Sequence, residues 1–385
     1  MEYHEVAIVG GGPAGSSCAS ELAKNGVDTI LFDHSHPREK PCGGAITQRI
    51  FEDFEIPKNV IEKYVDWLIL ESPSGHRVEI HSDNLGIVVM RKKFDYFLFS
   101  QAKKLIETVE EKVIDVKKDG IYWHIKTTGN NFKAKILIGA DGCPSLIRGK
   151  VFKPIPKEFL GQTFGYHIPH KKEHINKKFK NSLELYLIGK PYLERGYVWI
   201  FPKSDCITVG IGSKLGTSQL KERLHLFLNK NPSAKRIIFP EKIKPHSHLV
   251  PFISDSSFFT ERSSGKNWIL IGDAAGHVNP ITAEGIYYAM KGGKLAAKAI
   301  VNGNLEYYEK LWRADFGPDL FYGAKLQNLF YNTFFLDRVI RLSQKSKEIQ
   351  DIITDIIASR VSYDKLFKRK IFLNLPSIIV KSLFY

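Results

Sequence analysis

Hydrophobic positions along this chain change their spacing several times, and each change predicts an element. Val6 to Val9 is a short unbroken apolar run, Gly10-Gly11-Gly12-Pro13-Ala14-Gly15 follows at once, and a helical pattern then runs to Asn25-Gly26. A second apolar run, Thr29 to Phe32, ends in Asp33, so the opening predicts a βαβ unit and a parallel sheet. Leu68 to Ser72 and His76 to Ile80 alternate apolar and polar residues around the turn Pro73-Ser74-Gly75, which predicts a hairpin. A helix is expected from about Lys93 to Glu107, then strands near Lys112 to Val116 and Ile121 to Lys126, and the apolar run Ala134 to Ile138 leading into Gly139-Ala140-Asp141-Gly142. Residues 153 to 248 read as strand-rich, most clearly at Leu183 to Ile188, Tyr197 to Phe201 and Cys206 to Gly212, as one face of an antiparallel sheet. Trp268 to Asp273 reads as a buried parallel strand, a long helix begins near Glu284, and the pattern is helical after about Lys325.

These elements predict an α/β chain. A Rossmann-type dinucleotide domain is expected over 1–66, 90–152 and 262–325, an inserted antiparallel-sheet substrate domain over 67–89 and 153–261, and a helical region over 326–385. The length of 385 residues suits two or three domains, and 43% apolar with 25% charged residues excludes global disorder, collagen and coiled-coil arrays. Four scattered cysteines (Cys18, Cys42, Cys143, Cys206) lack the spacing of a disulfide framework or of common zinc and iron-sulfur sites, so no metal and a reducing cytoplasm are expected. No targeting segment and no run of ~20 apolar residues is seen.

Gly10, Gly12 and Gly15 stand between a predicted strand and helix, with Asp33 eighteen residues beyond Gly15. That context turns a weak pattern into a dinucleotide fingerprint: Gly10 allows the tight turn, Gly12 admits a pyrophosphate, Gly15 lets helix and strand close up, and Asp33 accepts from ribose hydroxyls. Asp141 and Gly272-Asp273 end apolar strands expected in the same sheet, and each Asp could instead be a helix cap or turn former. The helix after Gly285-Ile286 would direct its positive end at the electron-rich edge of a reduced flavin, an arrangement of no use to a nicotinamide.

Together the three segments resemble the FAD signature of the flavoproteins that include aromatic hydroxylases. On that resemblance Gly10, Gly12, Pro13, Ala14, Gly15, Asp33, Asp141, Gly272, Asp273, Gly285 and Ile286 are cofactor residues, and Arg91, at the predicted helix start Val89 to Asp95, reaches toward FAD. Pro41-Cys42-Gly43-Gly44 and Tyr197-Val198-Trp199-Ile200-Phe201-Pro202-Lys203 resemble the C-G-G and Y-x-W-x-F-P-K motifs of the geranylgeranyl reductase family, whose members saturate isoprenoid double bonds in archaeal lipids or the chlorophyll side chain. The likeness spans about residues 5 to 370, with Ala283 standing where many members carry glycine. It implies that Cys42, Gly43 and Gly44 lie close to the flavin ring, with Cys42 donating a proton or positioning the alkene. Alternate residues of a strand share a face, so Tyr197, Trp199 and Phe201 would form an aromatic wall for an apolar chain, or simply pack a core. Lys203 would face a phosphate head group or solvent. The expected catalytic set is Cys42, Tyr197 and Trp199, with water as a further acid.

The predicted reaction joins a flavin hydride to a proton across an isolated alkene; a flavin monooxygenase or halogenase is the alternative, and a flavin electron carrier the alternative of another class. The external reductant, which must dock without a second G-x-G-x-x-G domain, is left open among ferredoxin, a deazaflavin and a nicotinamide. With 56 basic and 41 acidic residues the net charge is +15, which favours anionic surfaces. No nucleic-acid-binding module is recognisable. Residues 331 to 385 carry ten basic and five acidic residues, with Lys365, Lys368, Arg369 and Lys370 before the apolar Ile371 to Tyr385, which suits a peripheral membrane contact or a charge-solvated bundle.

Overall fold

The computed structural model describes residues 2–189, 193 and 195–368, and the backbone divides into two compact units. The apolar tail 371–385 and the basic positions Arg369 and Lys370 lie outside the described residues.

The first unit comprises residues 1–39, 91–159 and 250–321. Its sheet runs in the spatial order Ser264–Gly265, Trp268–Leu270, Asn131–Gly139, Glu2–Val9, Thr29–Phe32 and Glu107–Val109. Glu2–Val9 is central, pairing in parallel with Thr29–Phe32 on one side and Asn131–Gly139 on the other, with Ile8 opposite both Leu31 and Ile138. Val6, Ala7 and Ile8 are fully buried, which explains why this strand reads as a continuous apolar run rather than an alternating one. The hairpin Val113–Asp119 and Tyr122–Thr127 joins antiparallel to Asn131–Gly139. Helix Pro13–Lys24 packs so closely on helix Ile286–Val301 that a Cβ on Gly293 would sit 2.3 Å from the Ala14 carbonyl oxygen.

Among the described residues, the second unit comprises those within 40–90, 160–249 and 322–368. Its sheet runs through Leu160–Pro169, Cys206–Lys214, Gly196–Pro202, Ser182–Tyr186, Lys63–Glu71, Arg77–Val88 and Ala45–Thr47, antiparallel except where Ser182–Tyr186 meets Lys63–Glu71. The division falls at residue 39 rather than at the expected 66, because Ala45–Thr47 and Lys63–Glu71 both pair with Arg77–Val88 and so carry the whole stretch into this sheet. Alternation sorts strand Gly196–Pro202 onto two faces. Val198 and Ile200 pack with Leu224 and Phe227 of helix Leu220–Lys230, whereas Trp199 and Phe201 pack with Leu336, Ile340 and Ile353 of helices Thr333–Ser343 and Lys347–Ile357. The expected C-terminal helical region is present, and its helices Thr333–Ser343 and Lys347–Ile357 contribute to the core of this unit. Asp337 ties them to the hairpin turn, accepting from the Ser74 amide at 2.9 Å and from the Ser72 hydroxyl. Among the described residues, no helix is long and apolar enough to cross a membrane.

Candidate functional site

In the first unit the backbone leaves strand Glu2–Val9 through Gly10, whose φ of +105° lies in the region that favours glycine. A Cβ there would meet the Ala140 carbonyl oxygen at 2.3 Å and Asp141 Cα at 2.8 Å, so Gly10 and Asp141 are brought together by the parallel pairing of their strands. At Gly15 a Cβ would lie 1.8 Å from the Gly10 carbonyl oxygen, the close helix–strand approach expected of that position. Gly12 is different. The nearest heavy atom to a Cβ built on it is Arg38 Nη2 at 3.5 Å, and no side chain caps the helix that begins at Pro13. An open glycine, an uncapped helix N-terminus and an arginine beside them are the parts a pyrophosphate needs.

Asp33 accepts from the Gly11 amide at 2.7 Å and from the amide of Ser35 at 2.8 Å. Burial alone would raise this carboxyl, but the Ser35 hydroxyl, the His36 ring and these amides hold it below the ordinary aspartate range, so it is an anion. His36 was not singled out in the sequence. Its Nε2 lies 2.9 Å from the Gly11 carbonyl oxygen and its ring stacks on Phe99 with centroids 4.5 Å apart. The segment Asp33-His34-Ser35-His36-Pro37-Arg38, directly after the strand, was the available signal for His36 and Arg38.

The other cofactor candidates divide. Gly272 packs against Ala14, 3.0 Å from a built Cβ to the Ala14 Cβ, which brings the later segment onto the first helix turn. Gly285 caps helix Ile286–Val301 without a side-chain bond, and a Cβ on it would be 3.2 Å from Asp273 Oδ1. Asp141 performs the capping alternative: it accepts from the Ser145 hydroxyl at 2.6 Å and the Ile147 amide at 3.1 Å at the start of helix Leu146–Val151, and burial pushes its carboxyl up. Arg91 is buried and makes a two-pronged bond to Asp95, 2.7 Å on each arm, within helix Arg91–Lys103. His277, next to the later segment, packs its ring on Trp312 at 4.5 Å; burial lowers it to about 3, so it is a neutral core residue.

Ala283, the departure from the family pattern, has φ of +57°, a conformation that strains an L side chain. Ala283→Gly is therefore expected to raise stability by about 0.5–1 kcal/mol, read as an upward shift in thermal midpoint. An unchanged or lower midpoint counts against strain at this turn.

The second unit assembles the two motifs of the resemblance. Tyr197 and Trp199 lie edge-on with ring centroids 6.0 Å apart. The Trp199 indole covers Gly210 of the neighbouring strand, where a Cβ would be 2.1 Å from the ring, and its buried Nε1–H has no hydrogen-bond partner among the described residues. Loop Cys42-Gly43-Gly44 lies on the same face: a Cβ on Gly43 would meet Phe201 at 2.4 Å and Trp199 at 3.4 Å. The Gly44 amide donates to Cys42 Sγ at 3.3 Å. Burial, with the Cys42 thiol adding to it, pushes the Tyr197 phenol well up, so it keeps its proton. Lys203 does not face solvent or a head group. It is fully buried, and its Nζ donates to the carbonyl oxygens of Gly43 at 2.6 Å and Val89 at 3.0 Å. A charged terminus in a sheet core needs such acceptors, and two segments more than a hundred residues earlier in the chain supply them.

Comparison with known proteins agrees with these motifs. The family model for pyridine nucleotide-disulphide oxidoreductases matches residues 4–189. A geranylgeranyl diphosphate reductase of Rhodobacter capsulatus is 32% identical over 309 residues, covering 78% of this chain and 75% of the relative. A digeranylgeranylglycerophospholipid reductase of Methanocaldococcus jannaschii is 31% identical over 339 residues, covering 81% and 83%. The solved structure of a geranylgeranyl bacteriochlorophyll reductase-like protein from Thermoplasma acidophilum shares the fold at a TM-score of 0.77, with 22% identity over 97% of this chain and all of that one.

Proposed function

This chain belongs to the geranylgeranyl reductase family of FAD-dependent oxidoreductases, and we propose that it saturates isoprenoid C=C bonds of membrane lipids or prenyl diphosphates. The observation that carries this reading is the aromatic face of the second unit, where Tyr197, Trp199 and Phe201 line one side of a strand with the Cys42–Gly44 loop laid on it.

FAD is the cofactor of this reading, held through its pyrophosphate by Gly10, Gly12, Pro13, Ala14, Gly15 and Arg38, with Asp33 accepting from the ribose and Gly272, Asp273, Gly285 and Ile286 at the later segment. When bound and reduced it supplies the hydride that no side chain can store. The chain's own residues do the rest. Tyr197 and Trp199 offer ring faces that tolerate cationic character on the more substituted alkene carbon, in surroundings kept dry by Leu336 and Ile340. Cys42 gives its thiol proton to the other, less substituted carbon, leaving the more substituted one to accept the hydride, and the Gly44 amide directed at Sγ supports the sulfur until water returns its proton. Tyr197 holds its own proton more tightly and orients the chain. An external donor renews the flavin; ferredoxin, a deazaflavin and a nicotinamide share that role in principle. The basic tail from Lys365 onward supplies a peripheral membrane contact in this reading.

The test is anaerobic. Chemically reduced protein is mixed with geranylgeranyl diphosphate or an unsaturated isoprenoid ether phospholipid in anionic vesicles, and flavin reoxidation, product mass and co-sedimentation are followed. Gain of H2 per reduced bond is the expected result. Oxygen or halogen incorporation in an aerobic run, with no anaerobic reoxidation by lipid, overturns the reductase; absence of the protein from the vesicle pellet overturns the membrane contact.

A further inference from the structure

We infer that Lys203 is a positioning residue that sets the conformation of the Cys42–Gly44 loop, so that the two family motifs act as one mechanical piece. Lys203 closes the aromatic strand, where its amide donates to the Cys206 carbonyl oxygen at 2.8 Å, and its side chain is wholly buried. An ammonium carries three donors and, away from water, each needs an acceptor. Two of the acceptors are the carbonyl oxygens of Gly43 and Val89, in segments far apart in sequence. The same loop is bound on its other sides. Gly43 lies against the Phe201 ring, Gly44 is so close to Val89 that a Cβ would be 2.1 Å from the Val89 carbonyl oxygen, and the Val89 amide donates back to the Gly44 carbonyl at 2.9 Å. Phe201 and Lys203, two residues apart on one face of the strand, thus hold one glycine by its ring contact and its carbonyl respectively. The direction of Cys42 Sγ follows from that grip, because its contact is the amide of Gly44. The role in turnover rests on the proposed reductase reading; the grip itself does not.

The experiment compares the full chain with Lys203→Met, which keeps the length of the side chain and removes its donors. Amide hydrogen exchange over residues 40–47 is expected to speed up at least about tenfold while residues 206–214 keep their protection. Alkylation of Cys42 is expected to accelerate by a similar factor, and it is selective because Cys18, Cys143 and Cys206 are buried. Where the enzyme turns over prenyl lipids, kcat falls roughly 10- to 100-fold with KM little changed, whether or not the substrate carries a phosphate. Unchanged exchange and alkylation overturn the inference, as does a rise in KM confined to phosphorylated substrates, which would make Lys203 a head-group contact. If Lys203→Met loses protection throughout the sheet, Lys203→Gln, which retains a shorter donor, is judged by the same local readouts. Exchange and alkylation need no turnover, so an inactive wild type would sink the reductase reading and leave the inference on Lys203 to be decided separately.

Discussion

Gly15→Ala is expected to yield protein with little or no flavin absorbance and a stability lower by about 3 kcal/mol or more. The added Cβ would sit 1.8 Å from the Gly10 carbonyl oxygen and 3.2 Å from the Ala140 Cβ. The first obstacle is backbone of the central strand's exit, so no rotamer change relieves it. Helix Pro13–Lys24 has to withdraw from the sheet, taking its N-terminal amides away from the place a pyrophosphate would occupy. It is also hemmed in on its far side by Gly293 of helix Ile286–Val301, which leaves little room to move. Gly12→Ala is the matched comparison. Its backbone has φ of −68°, which alanine adopts freely, and its Cβ would meet only Arg38 Nη2 at 3.5 Å. That variant should unfold like the wild-type apoprotein while binding FAD more weakly. Flavin content per chain and thermal unfolding of the apoproteins separate the two effects. Wild-type flavin content in Gly15→Ala would remove the basis for placing the cofactor at this turn.

The second large effect is expected at Gly44. Both Gly44, with φ of +76°, and Gly75, with φ of +84°, occupy the left-handed region, so alanine at either one costs about 1–2 kcal/mol in backbone strain. They differ in their surroundings. A Cβ on Gly75 meets nothing within 4 Å, whereas on Gly44 it would lie 2.1 Å from the Val89 carbonyl oxygen and 3.0 Å from Lys203 Nζ. Gly44→Ala should therefore lose about 2 kcal/mol more than Gly75→Ala, and should alone diminish lipid reduction, since the Cys42 loop is displaced. Denaturant unfolding of the two variants, with reductase turnover measured alongside, checks both parts. Equal destabilisation would mean that the loop yields without disturbing its neighbours.

How far the site could be read in advance differs from residue to residue. The strand, glycine turn, helix and acid of residues 6–33 were legible because each depends on local pattern: an apolar run too buried to alternate, a glycine at positive φ, and an anion at a strand end. The common face of Tyr197, Trp199 and Phe201 was legible from the period of two, and their packing against helices 333–357 was not, since nothing local says which element covers a strand. Lys203 shows the limit most clearly, whereas the capping role of Asp141 was already open from its local sequence. The Lys203 ammonium has a locally plausible use at a ligand, yet it is turned to backbone groups brought near only by folding, the Gly43 and Val89 carbonyls, while Asp141 accepts from the Ile147 amide just six residues on.

By itself, then, the order of residues determined the parallel sheet with its dinucleotide turn, the antiparallel sheet with its aromatic stripe, and the motifs of the geranylgeranyl reductase family, because steric preference and burial period act over a few neighbours. Tertiary structure alone decided where the units divide, which polar groups of the motifs are spent on the fold, and that the C-G-G loop is seated on Phe201 and Lys203. Those outcomes depend on backbone acceptors and ring faces contributed by segments more than a hundred residues apart, and desolvation makes their pairing obligatory once the chain has closed around them.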